Sequence, residues 1–204
     1  TISLVNPGTI EANKINCDAQ IYVQNGKSVT IELNGFTVEA TGTAADYRAN
    51  NNGLLRVGSR ASVTLTGDGK LCNKVFVGSN STLNLNGNID IQTMHYNDKS
   101  DAGSPLILYG TANVNSSMDS LKVYMGGGNF HVAEGTSVGM LRLEANVPFT
   151  DQAYPKTVTI DGTIGTMELP QQCSKNVRYD SFSAITINGN VGTLTAVQDG
   201  MRYS

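Results

Sequence analysis

The chain has no tryptophan, only 15% charged residues and no apolar run long enough to cross a bilayer, so no membrane insertion is expected. Its 14 Lys and Arg stand against 17 Asp and Glu, for a net charge of −3 with no basic block. A general nucleic-acid surface needs clustered cations, and no nucleic-acid partner is expected. The three cysteines, Cys17, Cys72 and Cys173, are far apart, and CxxC and Cys/His spacings are missing. That excludes the usual zinc patterns and predicts three reduced thiols packed in or near the core, with one pair joined as a disulfide as the alternative. Runs of strong helix formers are missing too, so helix should be scarce. The first residues, Thr1-Ile2-Ser3-Leu4-Val5, lack the basic-then-apolar plan of a secretory signal. Two readings stay open: a signal already removed, or an initiator Met alone before Thr1.

What the chain has instead is glycine, 22 residues of it, with abundant Ser, Thr and Asn. These are residues of strands and turns. At 204 residues the chain holds one domain with a sizeable core, or at most two small ones. The organising feature lies between Leu54 and Ile91. Val57, Gly58, Ser59, Val63, Leu65 and Gly67 recur twenty residues later as Val77, Gly78, Ser79, Leu83, Leu85 and Gly87. Apolar residues at every second position mark strands with one buried face. A fixed period with glycine at the corners marks a solenoid, in which stacked units share a core that no unit could bury alone.

The pattern extends in both directions. Residues 21–38 form the first clear unit, with Val29, Ile31 and Leu33 inward and a turn at Asn25-Gly26. Residues 158–167 match 185–194 at a displacement of 27. Polar insertions fall at 41–52, 93–105, 148–155 and 170–183. Asn-Gly between alternating strands is also a hairpin signal, so an antiparallel β-sandwich or jelly roll is the alternative. Leu33/Phe36 and Ile31/Val38 suit a hairpin, but Leu85/Asn88 and Ile187/Asn190 break its parity. The expected fold is therefore all-β: a single-domain parallel β-helix (β-solenoid) of about six to seven coils. Its parts are an N-terminal cap or attachment segment at 1–20, the β-helix at 21–197 and a C-terminal tail at 198–204.

The stretch Val29-Thr30-Ile31-Glu32-Leu33-Asn34-Gly35-Phe36-Thr37-Val38 resembles the opening coil of right-handed parallel β-helix proteins of the pectate-lyase-like superfamily. That resemblance implies one of several uses: polysaccharide lyase or hydrolase, bacterial adhesin, or phage virion protein such as a tailspike. Fold alone does not choose among them.

Glycoside hydrolysis needs two carboxylates across a groove. Asp68 and Asp90 are the nearest pair, but they occupy inequivalent places in their repeats. Asp161 stands where the sister repeat has Asn188, an interchange that a corner tolerates. The polygalacturonase set and the Asp-cluster-plus-Arg of calcium-dependent lyases are missing, as are Ser/His/Asp and P-loop patterns. His131, beside a strand, reads as a packed or hydrogen-bonded residue. No catalytic residue, metal site or cofactor is assigned. The candidate binding residues are His95, Tyr96, Asp98 and Asp101, gathered in one polar excursion, with Tyr109 and Tyr124 as aromatics for sugar contact. Outward Thr64, Thr66, Asn84 and Asn86 form a flat polar face, though without a strict Thr-x-Thr ladder.

The expectation is a non-enzymatic structural or attachment module located on a virion or extracellular surface. A virion surface protein (capsid decoration, fibre or tail-associated) is the leading form, with a capsid or other virion protein and a surface glycan as partners. A homo-oligomer is expected. The alternatives are a polysaccharide-cleaving β-helix enzyme and a secreted bacterial carbohydrate-binding adhesin.

Overall fold

A computed structural model describes residues 2–3, 14–17, 20–40, 53–92, 106–145, 155–170 and 182–197. These residues form three parallel sheets, A, B and C, and contain no helix. The chain enters with β1 (Ile2–Ser3) in sheet A and β2 (Lys14–Cys17) in sheet B. It then visits the sheets in a fixed order, C to A to B. The first round is β3 (Ile21–Val23), β4 (Ser28–Glu32) and β5 (Thr37–Ala40). The second is β6 (Leu55–Val57), β7 (Ser62–Thr66) and β8 (Gly69–Cys72). The third is β9 (Val75–Val77), β10 (Thr82–Asn86) and β11 (Ile89–Gln92).

After β11 the described residues alternate between sheets C and A alone. It passes through β12 (Leu106–Leu108), β13 (Thr111–Val114), β14 (Met118–Met125), β15 (Gly128–Val132) and β16 (Ser137–Ala145). It ends with β17 (Lys156–Ile160), β18 (Thr163–Pro170), β19 (Ala184–Ile187) and β20 (Asn190–Val197). Among the described residues sheet B stops at four strands, while A and C reach eight each. The described strands make seven C-to-A rounds, from β3–β4 to β18–β19, with β1 before them and β20 after them, within the six to seven anticipated. The shortest step is 17 residues, where Leu106 pairs with Val123.

All strand pairings among the described residues are parallel. The antiparallel alternative is thereby overturned for these residues. The twenty-residue repeat is literal: Val63 pairs with Leu83, Leu65 with Leu85 and Val57 with Val77. The 27-residue repeat is equally so, with Val158 beside Ile185 and Ile164 beside Val191. Asn34 and Gly35 have φ of 52° and 77°, as a tight Asn-Gly turn requires. Here that turn carries the chain around a corner, from β4 in sheet A to β5 in sheet B.

The core is one apolar cluster lined by inward residues of all three sheets. Where sheet B is lost, the long strands β14, β16 and β18 bend instead. Inward residues there lie three apart rather than two: Met118 and Leu121, Val138 and Leu141, Ile164 and Met167. Two outward residues span each bend, and glycine sits at Gly139 and Gly165 because the backbones nearly touch. A Cβ on Gly165 would lie 2.5 Å from the carbonyl oxygen of Gly139.

Cys17 and Cys72 are both reduced. Cys17 packs against the core, whereas Cys72 lies on the outer face of sheet B, because Leu71 takes the inward position. Burial first, and the nearby Glu39 and Asp90 carboxylates second, push the Cys72 thiol above its ordinary value.

Two substitutions should shift stability in opposite directions. Gly165→Ala should cost about 1–3 kcal/mol, because its methyl meets backbone rather than a movable side chain. Arg60, at a φ of 58°, should gain about 0.5 kcal/mol as Arg60→Gly, the relief of left-handed strain less the entropy of glycine. Urea unfolding of both variants checks this; equal effects would contradict the backbone geometry.

Candidate functional site

Three outer features could serve function, and each follows from strand register. The first is the face of sheet A. One outward row runs Thr30, Thr64, Asn84, Asn113, His131, Thr159 and Thr186 across successive strands. In-register stacking lets each side chain reach its neighbour: Asn84 Nδ2 donates to Thr64 Oγ1 at 3.4 Å, and Asn113 Nδ2 to Asn84 Oδ1 at 2.9 Å. A flanking row repeats the motif, with Asn115 Nδ2 donating to Asn86 Oδ1 at 2.9 Å. The anticipated outward Thr64, Thr66, Asn84 and Asn86 are all on this face.

At its C-terminal end this face holds a cluster that sequence reading did not assemble. His131 Nε2 lies 2.8 Å from Asp161 Oδ2, and Asn188 Nδ2 donates to Asp161 Oδ1 at 2.7 Å. His131 is thus the hydrogen-bonded strand residue anticipated, and Asp161 occupies its corner. Hydrogen bonds from Asn188 first and His131 second hold the Asp161 carboxyl below its ordinary value of 3.8, since both favour the charged form. The spacing of 30 residues hides this pair, because it depends on how many residues each turn contains.

The second feature is a cleft of about 350 Å³ along the corners that lead into sheet B, where β11 gives way to the bend of β14. Asp68, Asp90 and Asp119 line it, with Thr37, Lys70 and Ser120. The inequivalence of Asp68 and Asp90 holds in three dimensions: Asp90 pairs with Lys70, while Asp68 Oδ1 accepts the backbone N–H of Asn88 at 3.0 Å. Both nevertheless face one cleft, joined by Asp119, which the repeat arithmetic did not single out. Lys70 Nζ stands 3.8 Å from Asp90 Oδ2, and Gln92 Nε2 donates to the same oxygen. Among the described residues, no three His, Cys, Asp or Glu side chains come together in a way that could hold a metal ion.

The third feature is a stripe on sheet C. Tyr22, Arg56, Phe76, Ile107 and Tyr124 are direct neighbours in the outward row. The Arg56 guanidinium lies 5.5 Å from the Tyr22 ring centre and 5.7 Å from that of Phe76, within cation–π range of both. Tyr109 adds a ring 5.7 Å from Phe76. Beyond Tyr124 the row turns ionic: Glu144 meets Lys122 at 3.1 Å and Arg142 at 3.0 Å. The signal was present in Ile-Tyr-Val, Leu-Arg-Val, Val-Phe-Val and Leu-Ile-Leu, whose middle residues must stack.

Of the anticipated binding residues, Tyr124 is therefore in β14 on sheet C and Tyr109 in the bend just after β12, both half-buried. His95, Tyr96, Asp98 and Asp101 lie outside the described residues, as does Cys173. No helix among the described residues is long and apolar enough to cross a membrane.

The Asp161 cluster predicts a pH signature. Its folded value lies below the unfolded one, so its contribution is complete above the unfolded value and is lost as pH falls through the folded value. The stability gap between the wild type and Asp161→Asn should therefore close between about pH 5 and pH 2. Urea midpoints measured across that range test it, and a gap that stays constant would refute the assignment.

No protein-family model, curated protein or solved structure matches this chain.

Proposed function

We propose that the chain is a short, closed parallel β-helix of the pectate-lyase-like kind, acting as a rigid, non-enzymatic attachment module. The cyclic visiting order of the sheets, the parallel pairing in register and the single shared core support the coil. The observation that carries the functional reading is the Asn and Thr ladder on sheet A. Its side chains hold one another in place across successive strands, so a partner meets a flat polar surface already ordered, which lowers the entropic cost of binding. A virion surface is the proposed setting, with a capsid protein or surface glycan as partner. The N-terminal segment is the proposed attachment element, and it also contributes β1 and β2 to sheets A and B.

Fractionation of the native source tests the setting: the chain should be found at fixed stoichiometry in purified particles. Recovery only from a cell envelope or medium would reject the virion assignment and favour the adhesin, which glycan-array binding would then identify.

The cleft favours a second reading, a polysaccharide-cleaving enzyme, because Asp68, Asp90 and Asp119 share it with Lys70. Under that reading, the protein cleaves an acidic polysaccharide, and Asp90→Asn lowers the rate by roughly 10²-fold or more, the usual loss for an acid–base group. Turnover that is absent, or unchanged in the variant, removes the cleft from contention.

A further inference from the structure

The C-terminal end of the stack is an unfinished cross-section. Strand β19 pairs only with β17, and β20 only with β18, among the described residues. The core columns of sheets A and C reach this end and lose their cover there. Ile160 is fully buried, yet its partner Ile187 is 43% exposed; Met167 is fully buried, yet its partner Leu194 is 60% exposed. Ile185 and Val191, which continue the columns of Val158 and Ile164, are only partly covered.

Strand edges of this kind are normally guarded by charge, proline or a bulge. Residues 182–197 contain no Asp, Glu, Lys, Arg, His or Pro. At the opposite end of the stack the edge strand β2 does carry a charge, Lys14, paired with Glu39 at 2.5 Å.

We infer that this end is an interface for a second copy of the chain, joined through the same patch on both partners. Two observations choose that occupant. The open surface has two strand edges, one in each of sheets A and C, with apolar side chains between them. A single added peptide strand would cover one edge and leave the other edge and the core columns in water. The same end of another copy has two edges and an apolar centre of matching plan. Apposing a surface with itself also brings like charges together, and a patch without charge is the one that tolerates it. The inference does not depend on the attachment reading.

The test is the mass of the intact chain in solution, measured by analytical ultracentrifugation from about 1 to 100 µM, alongside amide hydrogen exchange. The expected result is a dimer of 21.6 kDa chains, with β19 and β20 amides protected more strongly as concentration rises. Leu194→Lys should weaken dimerisation at least tenfold. Thr193→Lys, which charges the exposed edge without altering an apolar column, should do the same, and far-UV circular dichroism confirms that both stay folded. A monomer with protected β20 amides would overturn the inference in favour of cover by other residues of this chain. A monomer with unprotected amides would overturn it in favour of a different partner. A polydisperse ladder would mean head-to-tail contact, and a dimer indifferent to both variants would place the interface elsewhere.

Discussion

The parallel register is the constraint on which everything else depends. Because neighbouring strands pair residue for residue, each inward side chain stands on the one before it. Ile31, Leu65, Leu85, Val114, Val132 and Ile160 form one such column, and Val29, Val63, Leu83, Ala112, Phe130 and Val158 another. In the second column Ala112 separates Leu83 from Phe130, so a small residue makes room for the largest; column volume, rather than identity at each level, is what packing holds fixed. A slip of one residue would move a whole strand's apolar set to solvent. Register is therefore specified many times over, and outward residues are free to vary as long as they tolerate their neighbours.

This separation explains what could be read from the sequence and what could not. The repeats at 20 and 27 residues were legible because short glycine corners keep adjacent units in phase. The loss of sheet B after β11 was not legible, since Met118-Asp119-Ser120-Leu121 reads as an ordinary strand until its two consecutive outward residues are noticed. Lys156 is a sharper case. Its residue type predicts an outward side chain, but Lys156, Val158 and Ile160 share one parity, and Lys156 is only 2% exposed. Parity decides direction within a strand, and residue type is the weaker signal.

The candidate sites were legible to a different degree. Outward Thr and Asn positions on sheet A followed from alternation alone, yet their hydrogen-bonded ladder required the exact pairing of strands separated by unequal insertions. His131 and Asp161, and Asp119 with Asp68 and Asp90, converge only when those insertions are correctly assigned to the corners. Ion pairs on sheet C show the same dependence: Arg142 lies between Lys122 and Glu168 in register, with Glu144 compensating both cations. Such half-exposed pairs add little to stability. They keep like charges from standing unrelieved on adjacent strands.

Repetition and chemistry oppose one another in this architecture. Where the rounds are regular, outward rows become ladders of like residues, suited to broad contact but not to bringing unlike groups together. The cleft forms where regularity fails, as the last strand of sheet B ends and the bend of β14 takes its place. There, residues from inequivalent positions, Asp68 at a corner, Asp90 in a strand and Asp119 in a bend, face a common space. A stacked fold thus gathers its carboxylates at a transition between one cross-section and the next, and on its regular faces unlike groups meet where a corner residue reaches a neighbouring strand, as Asp161 reaches His131.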